Sequence, residues 1–504
     1  SRYLNNLKIF NYPSIQYEVD KRDSTAQSLI ANVYLTPRKK YSFGASFDAL
    51  HSNIQDFGLA GNTSFSIRNI FNGAETLEIA ARGNIGSSQD LANPDNTFFN
   101  ISEYGADMRL NFPRLFFPIK TDKIISKEMI PSTQISLGFA KQQNIGLDKE
   151  NFTGSLTYNW TPKRYNSVRF DLLNIQYIKN INVNNYFNVY RSSYEALNDI
   201  AQNYTLDPEY LNDDGNLKIP FGTNGFLDDV LINEPGIDPS ETDFNTIRSI
   251  NERKNRLTEN NLIIASTYSF SKTTKTSLLD NNFYVLRIKG ESAGNILSLV
   301  ADASNQPTGP NGNKTFFDIE FSQYLKGEFE FIKHFDLRNN MVFATRTFFG
   351  IAIPFGNSNS IPFSRSYFGG GSNDNRAWRP YGLGPGSSGN QNDFNEANMK
   401  ILVNAEFRFK MFGKLRGALF VDAGNIWNVL DNVEDEDFIF DGLDSLKDIA
   451  VGSGFGIRYD FGFVVARFDF GFKTYNPAHE EGKRWFREYN FSNTVFNVGI
   501  NYPF

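Results

Sequence analysis

Residues 463–472 read FVVARFDFGF, and the parity of that stretch decides the fold. Val464, Ala466, Phe468, Phe470 and Phe472 fall on even numbers, while Arg467, Asp469 and Gly471 fall between them. Successive side chains of a strand point to opposite faces, so this segment has one greasy face and one charged face. The pattern recurs outward from it. Tyr41, Phe43, Ala45, Phe47 and Ala49 alternate with Ser42, Gly44, Ser46 and Asp48; Tyr104, Ala106, Met108, Leu110 and Phe112 alternate with Gly105, Asp107, Arg109 and Asn111. In 317–331, Asp318, Glu320, Lys326, Glu328 and Glu330 sit between mostly apolar odd positions. Aromatic residues make up 15% of the 504, including 49 Phe and 23 Tyr, against 21% charged. A membrane barrel needs this pairing, an apolar aromatic outside and a polar lumen side. A soluble sandwich also alternates, but its apolar face has no need to be so aromatic.

Counting such segments gives about sixteen strands, near 40–50, 57–68, 75–84, 99–112, 133–144, 150–160, 165–178, 260–271, 282–292, 315–333, 336–353, 397–411, 414–425, 446–460, 463–473 and 490–504. Short connections (68–75, 160–165, 412–415, 461–462) alternate with long ones (85–98, 179–259, 293–314, 354–396, 426–445, 474–489), the asymmetry of an outer-membrane barrel. The turn at 113–132 is longer than its class predicts. The reading is therefore an all-β, antiparallel transmembrane barrel. No run approaches the roughly 18 apolar residues a membrane helix needs. A net charge of −6 argues against nucleic acid as partner, and with no cysteine there is no disulfide framework and no thiolate metal site. His51, His334 and His479 are scattered, with neither zinc spacing nor a triad, and no Ser–His pair of a barrel phospholipase can be located. The acidic run 431–448 lacks the EF-hand ladder and reads as a solvated outer loop, and GPNGNK at 309–314 is a glycine turn, not a phosphate loop. No catalysis, cofactor or metal is expected.

One long connection differs from the rest. Residues 367–386, YFGGGSNDNRAWRPYGLGPG, cannot be a strand, because Gly369–Gly371 and the Gly384-Pro385-Gly386 bend break regular structure. Tyr367, Phe368, Trp378 and Tyr381 nevertheless demand packing, so the segment reads as a loop folded back into a cavity, with Arg376 at its tip. The tip Asn375-Arg376-Ala377-Trp378 resembles the loop-six signature, hydrophobic-Arg-Gly-aromatic, of the BamA/TamA superfamily of outer-membrane assembly barrels. GGGSNDNRAW followed by LGPG is most similar to the TamL branch, lipoprotein relatives with Ala in place of the usual Gly. FVDAGNIW at 420–427 and a terminal strand ending in Phe504 follow in family order, and the likeness covers nearly the whole chain.

This resemblance implies an outer-membrane factor of a Gram-negative bacterium that inserts or exports client proteins, with the bilayer, the clients and a TamB-like periplasmic protein as partners. Gly369, Gly370, Asn375, Arg376, Ala377 and Trp378 form the motif of a lumen-inserted loop, 354–396. Arg376 is expected to pair with Glu406 and Asp422, which parity places on the polar faces of the next two strands. An unpaired guanidinium there would cost several kcal/mol. The first and last strands imply a lateral seam, with Tyr41, Phe43 and Phe47 on one side and Gly499, Pro503 and Phe504 on the other. Pro503 has no N–H to give and Gly499 packs little, which weakens the pairing. Residues 1–38 resemble the C-terminal part of a POTRA domain, or form a short cap on a barrel running 39–504. Ser1 begins mid-pattern, as in a processed or truncated chain. The 179–259 insertion, with helical spacing at 192–204, reads as a long outside loop that caps the barrel or meets a partner, or as a passive surface loop. The rival from another class is a passive porin or substrate-specific channel.

Overall fold

The computed structural model describes residues 2–20, 22, 28–50, 57–87, 101–117, 119, 121, 123–144, 148–232, 239–277, 280–309, 312–389, 395–433, 435–462, 464–500 and 502–504. His51, Glu434 and Asn501, and with them 51–56, 88–100 and 390–394, lie outside the described residues. Two units partition the chain, 1–181 and 182–504.

The first unit opens with α1 (Arg2–Asn6) and a hairpin of β1 (Phe10–Val19) and β2 (Leu29–Pro37). One helix and one hairpin fall short of an α+β domain. Seven long strands follow: β3 (Tyr41–Leu50), β4 (Phe57–Arg68), β5 (Thr76–Ser87), β6 (Ile101–Phe112), β7 (Ser132–Asn144), β8 (Lys149–Trp160) and β9 (Asn166–Asn180). Leu59, Phe65, Ile79, Tyr104, Met108, Leu137, Phe139 and Phe152 are exposed on one face. The other face carries ion pairs across the ladder: Arg82 with Asp107 and, at 3.6 Å, Glu103; and Arg109 with Glu78 at 3.7 Å. Lys141 and Glu150, paired at 3.1 Å, share the face of Tyr104 and Phe139 at the ends of β7 and β8. The long 113–132 connection is explained by its polar anchors. Thr133 Oγ1 donates to Arg114 O at 3.0 Å and accepts from Phe116 N at 2.8 Å, so the segment doubles back along the strand ends.

The second unit begins with a helical insert: α2 (Tyr186–Val189), α3 (Arg191–Ala201), α4 (Phe221–Leu231) and α5 (Glu241–Thr258). Phe187, Leu197, Phe226, Leu227, Val230 and Ile247 bury one another, and Ser240 caps α5 by accepting from Asp243 N at 3.1 Å. The insert thus has a core of its own. Next come β10 (Asn261–Thr273), β11 (Tyr284–Ala293), α6 (Asn295–Ser304), the hairpin β12 (Thr315–Phe316) and β13 (Ile319–Glu320), and then β14 (Tyr324–Asp336). The single strand expected over 315–333 is broken because Phe317 and Asp318 both have positive φ and turn the chain. The unit ends with β15 (Val342–Pro354), β16 (Met399–Lys410), β17 (Leu415–Trp427), β18 (Ala450–Asp460), β19 (Val465–Tyr475) and β20 (Val495–Ile500).

The long strands, all but β1, β2, β12 and β13, make one sixteen-stranded antiparallel sheet in chain order. In the second unit Leu325, Phe329, Val403, Leu419, Val421, Phe455, Phe468 and Phe496 are exposed, while Glu406, Asp422, Arg458, Arg467 and Asp469 are buried on the opposite face. The last strand is shorter than the expected 490–504. Phe491–Asn493 is a 3-10 turn capped by Asn490, and the ladder with β19 runs from Gly471↔Val495 to Ala466↔Ile500. Tyr502 and Phe504 leave the ladder and stack on Arg408, 4.2 and 5.5 Å from the ring centroids, and the arginine donates to Phe504 O at 3.2 Å. The pull of a buried cation on two aromatic faces accounts for the departure. Phe504, whose parity would set it beside the exposed Phe496, Val498 and Ile500, therefore does not continue that row.

Candidate functional site

The described part of the 354–396 loop, up to residue 389, leaves β15 and lies on the polar face of the second unit's sheet. Two arginines hold it. Near its base, Arg365 Nε is 3.2 Å from Glu291 Oε1 on β11 and donates to Tyr324 Oη at 3.0 Å. Lys326 Nζ on β14 donates to Arg365 O at 2.7 Å, and Tyr324 Oη donates to Glu291 at 2.6 Å. Tyr367 donates to Glu328 at 3.1 Å, and its ring fills the space over Gly350, where an added Cβ would sit 2.6 Å from it. Sequence reading missed Arg365, although an arginine between Ser364 and Ser366 in a loop already known to carry aromatics was a usable signal.

The tip is closed on itself. Gly371 N donates to Trp378 O at 2.8 Å, Gly370 N and Asn375 N both donate to Asp374 Oδ1 at 2.9 Å, and Lys400 pairs with Asp374. Gly370 and Gly371 adopt φ of 93° and 109°, and a Cβ on Gly370 would meet Arg379 O at 2.1 Å. Both positions need glycine.

Arg376 is 0% exposed. Its Nε and Nη2 donate to the two oxygens of Asp422 on β17, at 2.8 and 2.9 Å, and its main-chain N donates to the same carboxylate at 3.1 Å. Nη1 donates to Glu406 on β16 at 2.5 Å and lies 3.7 Å from Asp469 on β19. The guanidinium lies over Phe420, 3.5 Å from the ring centroid. Burial opposes the charge, but Asp422, Glu406 and Asp469 outweigh it and hold the Arg376 proton more firmly than in a free arginine. The network continues outward: Arg408 donates to Glu406 at 2.7 Å, Arg458 to Glu406 at 3.0 Å, and Arg458 lies 2.6 Å from Asp469. Asn497 of β20 donates to Arg376 O at 2.9 Å, tying the last strand to the same residue.

The wall under the tip is carved from glycine. Gly452, Gly454 and Gly456 occupy alternate positions of β18, and Gly471 lies on β19. A Cβ on Gly471 would meet Arg376 O at 2.2 Å; on Gly452, Ala377 Cβ at 2.6 Å; on Gly454, the Phe420 ring at 2.6 Å; on Gly456, Asp469 Oδ1 at 2.0 Å. The G-x-G-x-G spacing at 452–456 would have betrayed this groove, because glycine at every second position strips one face of a strand of its side chains. Trp378 is buried nearby, and Asn425 of FVDAGNIW donates to Gly386 O at 2.7 Å and Asp448 O at 2.6 Å, anchoring the loop's exit.

Of the seam positions, Tyr41, Phe43 and Phe47 are exposed on β3, while Gly499 on β20 is overlain by the Arg467 guanidinium, 2.4 Å from a built Cβ. Pro503 lies beyond β20 with Phe504. Among the described residues no group of three or more His, Cys, Asp or Glu could hold a metal.

The base is the weaker anchor. Arg365→Ala leaves Glu291 with Tyr324 and with Lys289 at 3.4 Å, so the expected loss is about 1.5–3 kcal/mol, seen as a lower unfolding temperature with the tip still seated.

Residues 42–504 match the Omp85 superfamily domain. The fold resembles that of BamA from Haemophilus ducreyi lacking POTRA domains 1–3, with TM-score 0.53 and 12% identity over 99% of this chain and 76% of that one. CdiB from Acinetobacter baumannii aligns at 11% identity and TM-score 0.41, over 99% of this chain and 66% of that one. No curated protein matches the sequence. With its matched domain covering nearly the whole chain, this protein belongs to the Omp85 superfamily and is an outer-membrane β-barrel protein.

Proposed function

We propose that this protein is an assembly or translocation factor, one that inserts client proteins into the outer membrane or exports them through a lateral seam between β3 and β20. The observation carrying this reading is the buried fork of Arg376 on Asp422, with Glu406 completing it, inside an Omp85 domain. That contact seats the loop tip, 369–378, on the polar face, and through Asn497 it reaches β20. No bond of a client need be made or broken. The work is done by an unsealed strand edge, to which a client strand can add by main-chain pairing. β20 suits that role: it pairs with β19 over six residues, and its tail is held by Arg408 and not by a ladder.

Within the family the TamL branch is favoured by NRAW and LGPG. Ala377, where the family signature has Gly, packs its methyl toward bare Gly452, so the larger residue is matched by a missing one. A TamB-like periplasmic protein would be the partner, and the 1–38 segment would be the end of a POTRA domain.

The test is a scan of cysteine pairs, one cysteine within 41–47 and one within 495–499, in a chain that has none of its own. Oxidation is expected to stop client delivery to the cell surface, with recovery on reduction. Undiminished delivery with the pair oxidised would remove the seam from the mechanism.

A further inference from the structure

The excursion between β11 and β14 carries an apolar surface that the loop mechanism does not use. In α6, Ile296, Leu299, Val300 and Ala303 recur at the i, i+3, i+4, i+7 spacing of one helix face, and all four are exposed, Leu299 to 72%. The helix already has an inner face, since Leu297 and Ala301 are buried. Its polar side is engaged: Asn295 donates to Ser292 at 2.7 Å, Gln323 donates to Asn295 at 3.3 Å, and Asp302 pairs with Lys314. The helix is thus fixed, with a second apolar stripe left over.

The hairpin that follows repeats the message. Thr315↔Glu320 and Phe316↔Ile319 leave Phe317 and Asp318 as a two-residue turn, both at positive φ, 53° and 61°. That turn favours Asn, Asp or Gly, and a bulky residue in its first place is strained. Yet Phe317 stands there 83% exposed. A ring held at such a tip gains nothing from water.

Both features adjoin, along the chain, strands with an exposed apolar face. α6 starts at the end of β11, after Gly294, and the hairpin feeds β14. Ile288 of β11 and Leu325 and Phe329 of β14 are exposed on the apolar face of the sheet, the face an outer-membrane barrel turns to lipid. We propose that α6 and the Phe317 tip enter the lipid interface of the membrane, so that this rim of the barrel is held in the bilayer by an interfacial helix as well as by its strands.

Single cysteines at Leu299→Cys, Phe317→Cys, Asp302→Cys and, as a strand reference, Val403→Cys are labelled with a nitroxide. The full chain is then placed in phosphatidylcholine vesicles, with folding checked by the gel shift on heating. Collision with oxygen and with a water-soluble nickel chelate is measured. Positions 299 and 317 are expected to behave as 403 does, with nickel collision several-fold below that at 302. Nickel collision at 299 and 317 equal to that at 302 would overturn the proposal. So would spin–spin coupling between copies at 299 that disappears on dilution with unlabelled protein, which would mark a second copy of the chain as the occupant.

Discussion

Arg376→Ala is expected to release the loop tip and abolish client delivery while the sixteen strands still form. The reason lies in what the deletion leaves behind. Glu406 keeps Arg408 and Arg458, but Asp422 is left with neutral donors alone, the Asn404 amide at 2.8 Å and the main-chain N–H of residue 376 at 3.1 Å. Removing one partner of a buried ion pair costs about 3–5 kcal/mol, because the remaining charge stays out of water. Loop contacts must bear that cost, since the strand ladder on either side is unaffected. Arg376→Lys should fail almost as badly. One ammonium cannot span both oxygens of Asp422 and Glu406 while lying flat on Phe420. Limited proteolysis near 369–371, read beside surface delivery of a client, checks both variants. A lysine variant with full activity would show that charge alone suffices and that the fork is incidental.

Gly471→Val should match the arginine loss without touching a charge. Its Cβ would sit 2.2 Å from Arg376 O and 2.9 Å from Ala377 N, atoms of the main chain that cannot turn aside as a side chain can. Overpacking of this kind typically costs about 1–3 kcal/mol. Here the relief available is to lift the tip, which breaks the Arg376 contacts as well. Gly452→Val should act alike, against Asn375 Oδ1 at 2.5 Å and Ala377 Cβ at 2.6 Å. Gly290→Ala and Gly327→Ala are the controls in the same sheet, since a Cβ at either meets nothing within 4 Å. Loop protection and client delivery should fall in the first pair and stay near wild type in the second. Loss in all four would point to a general weakening of the strands.

The strands were legible because their two environments differ so sharply. Phe468 beside Arg467 and Asp469 leaves little choice of face, and most long strands lie close to the span that alternation assigns, β14 and β20 being the clear departures. Parity alone also put Glu406 and Asp422 on one polar face. What could not be read was the meeting of distant segments. Nothing local at Gly471 tells that Arg376 O will lie on it, because that contact depends on how the loop is laid across β18 and β19. The 315–333 span misled because its alternation continues through Phe317 and Asp318, whose turn is set by backbone dihedrals and not by hydropathy. The tail misled for a related reason: Tyr502 and Phe504 keep the right parity, but Arg408 offers their rings a buried cation. In the 179–259 insert, helical spacing is visible at 192–204. α4 carries Gly222 and Gly225, held close to Tyr210, and reads poorly as a helix for that reason.

Whether Arg376 holds the loop is read by hydrogen exchange at the tip in lipid nanodiscs, wild type against Arg376→Ala. The amides of Gly371 and Arg376 donate to Trp378 O and to Asp422 in the seated loop. Slow exchange is expected over 369–378 in the wild type. In the variant, exchange there should accelerate about a hundredfold or more, the equivalent of roughly 3 kcal/mol, with the strand amides unchanged. Equal exchange in the two proteins would mean that the buried arginine does not hold the loop, and the mechanism built on it would fall.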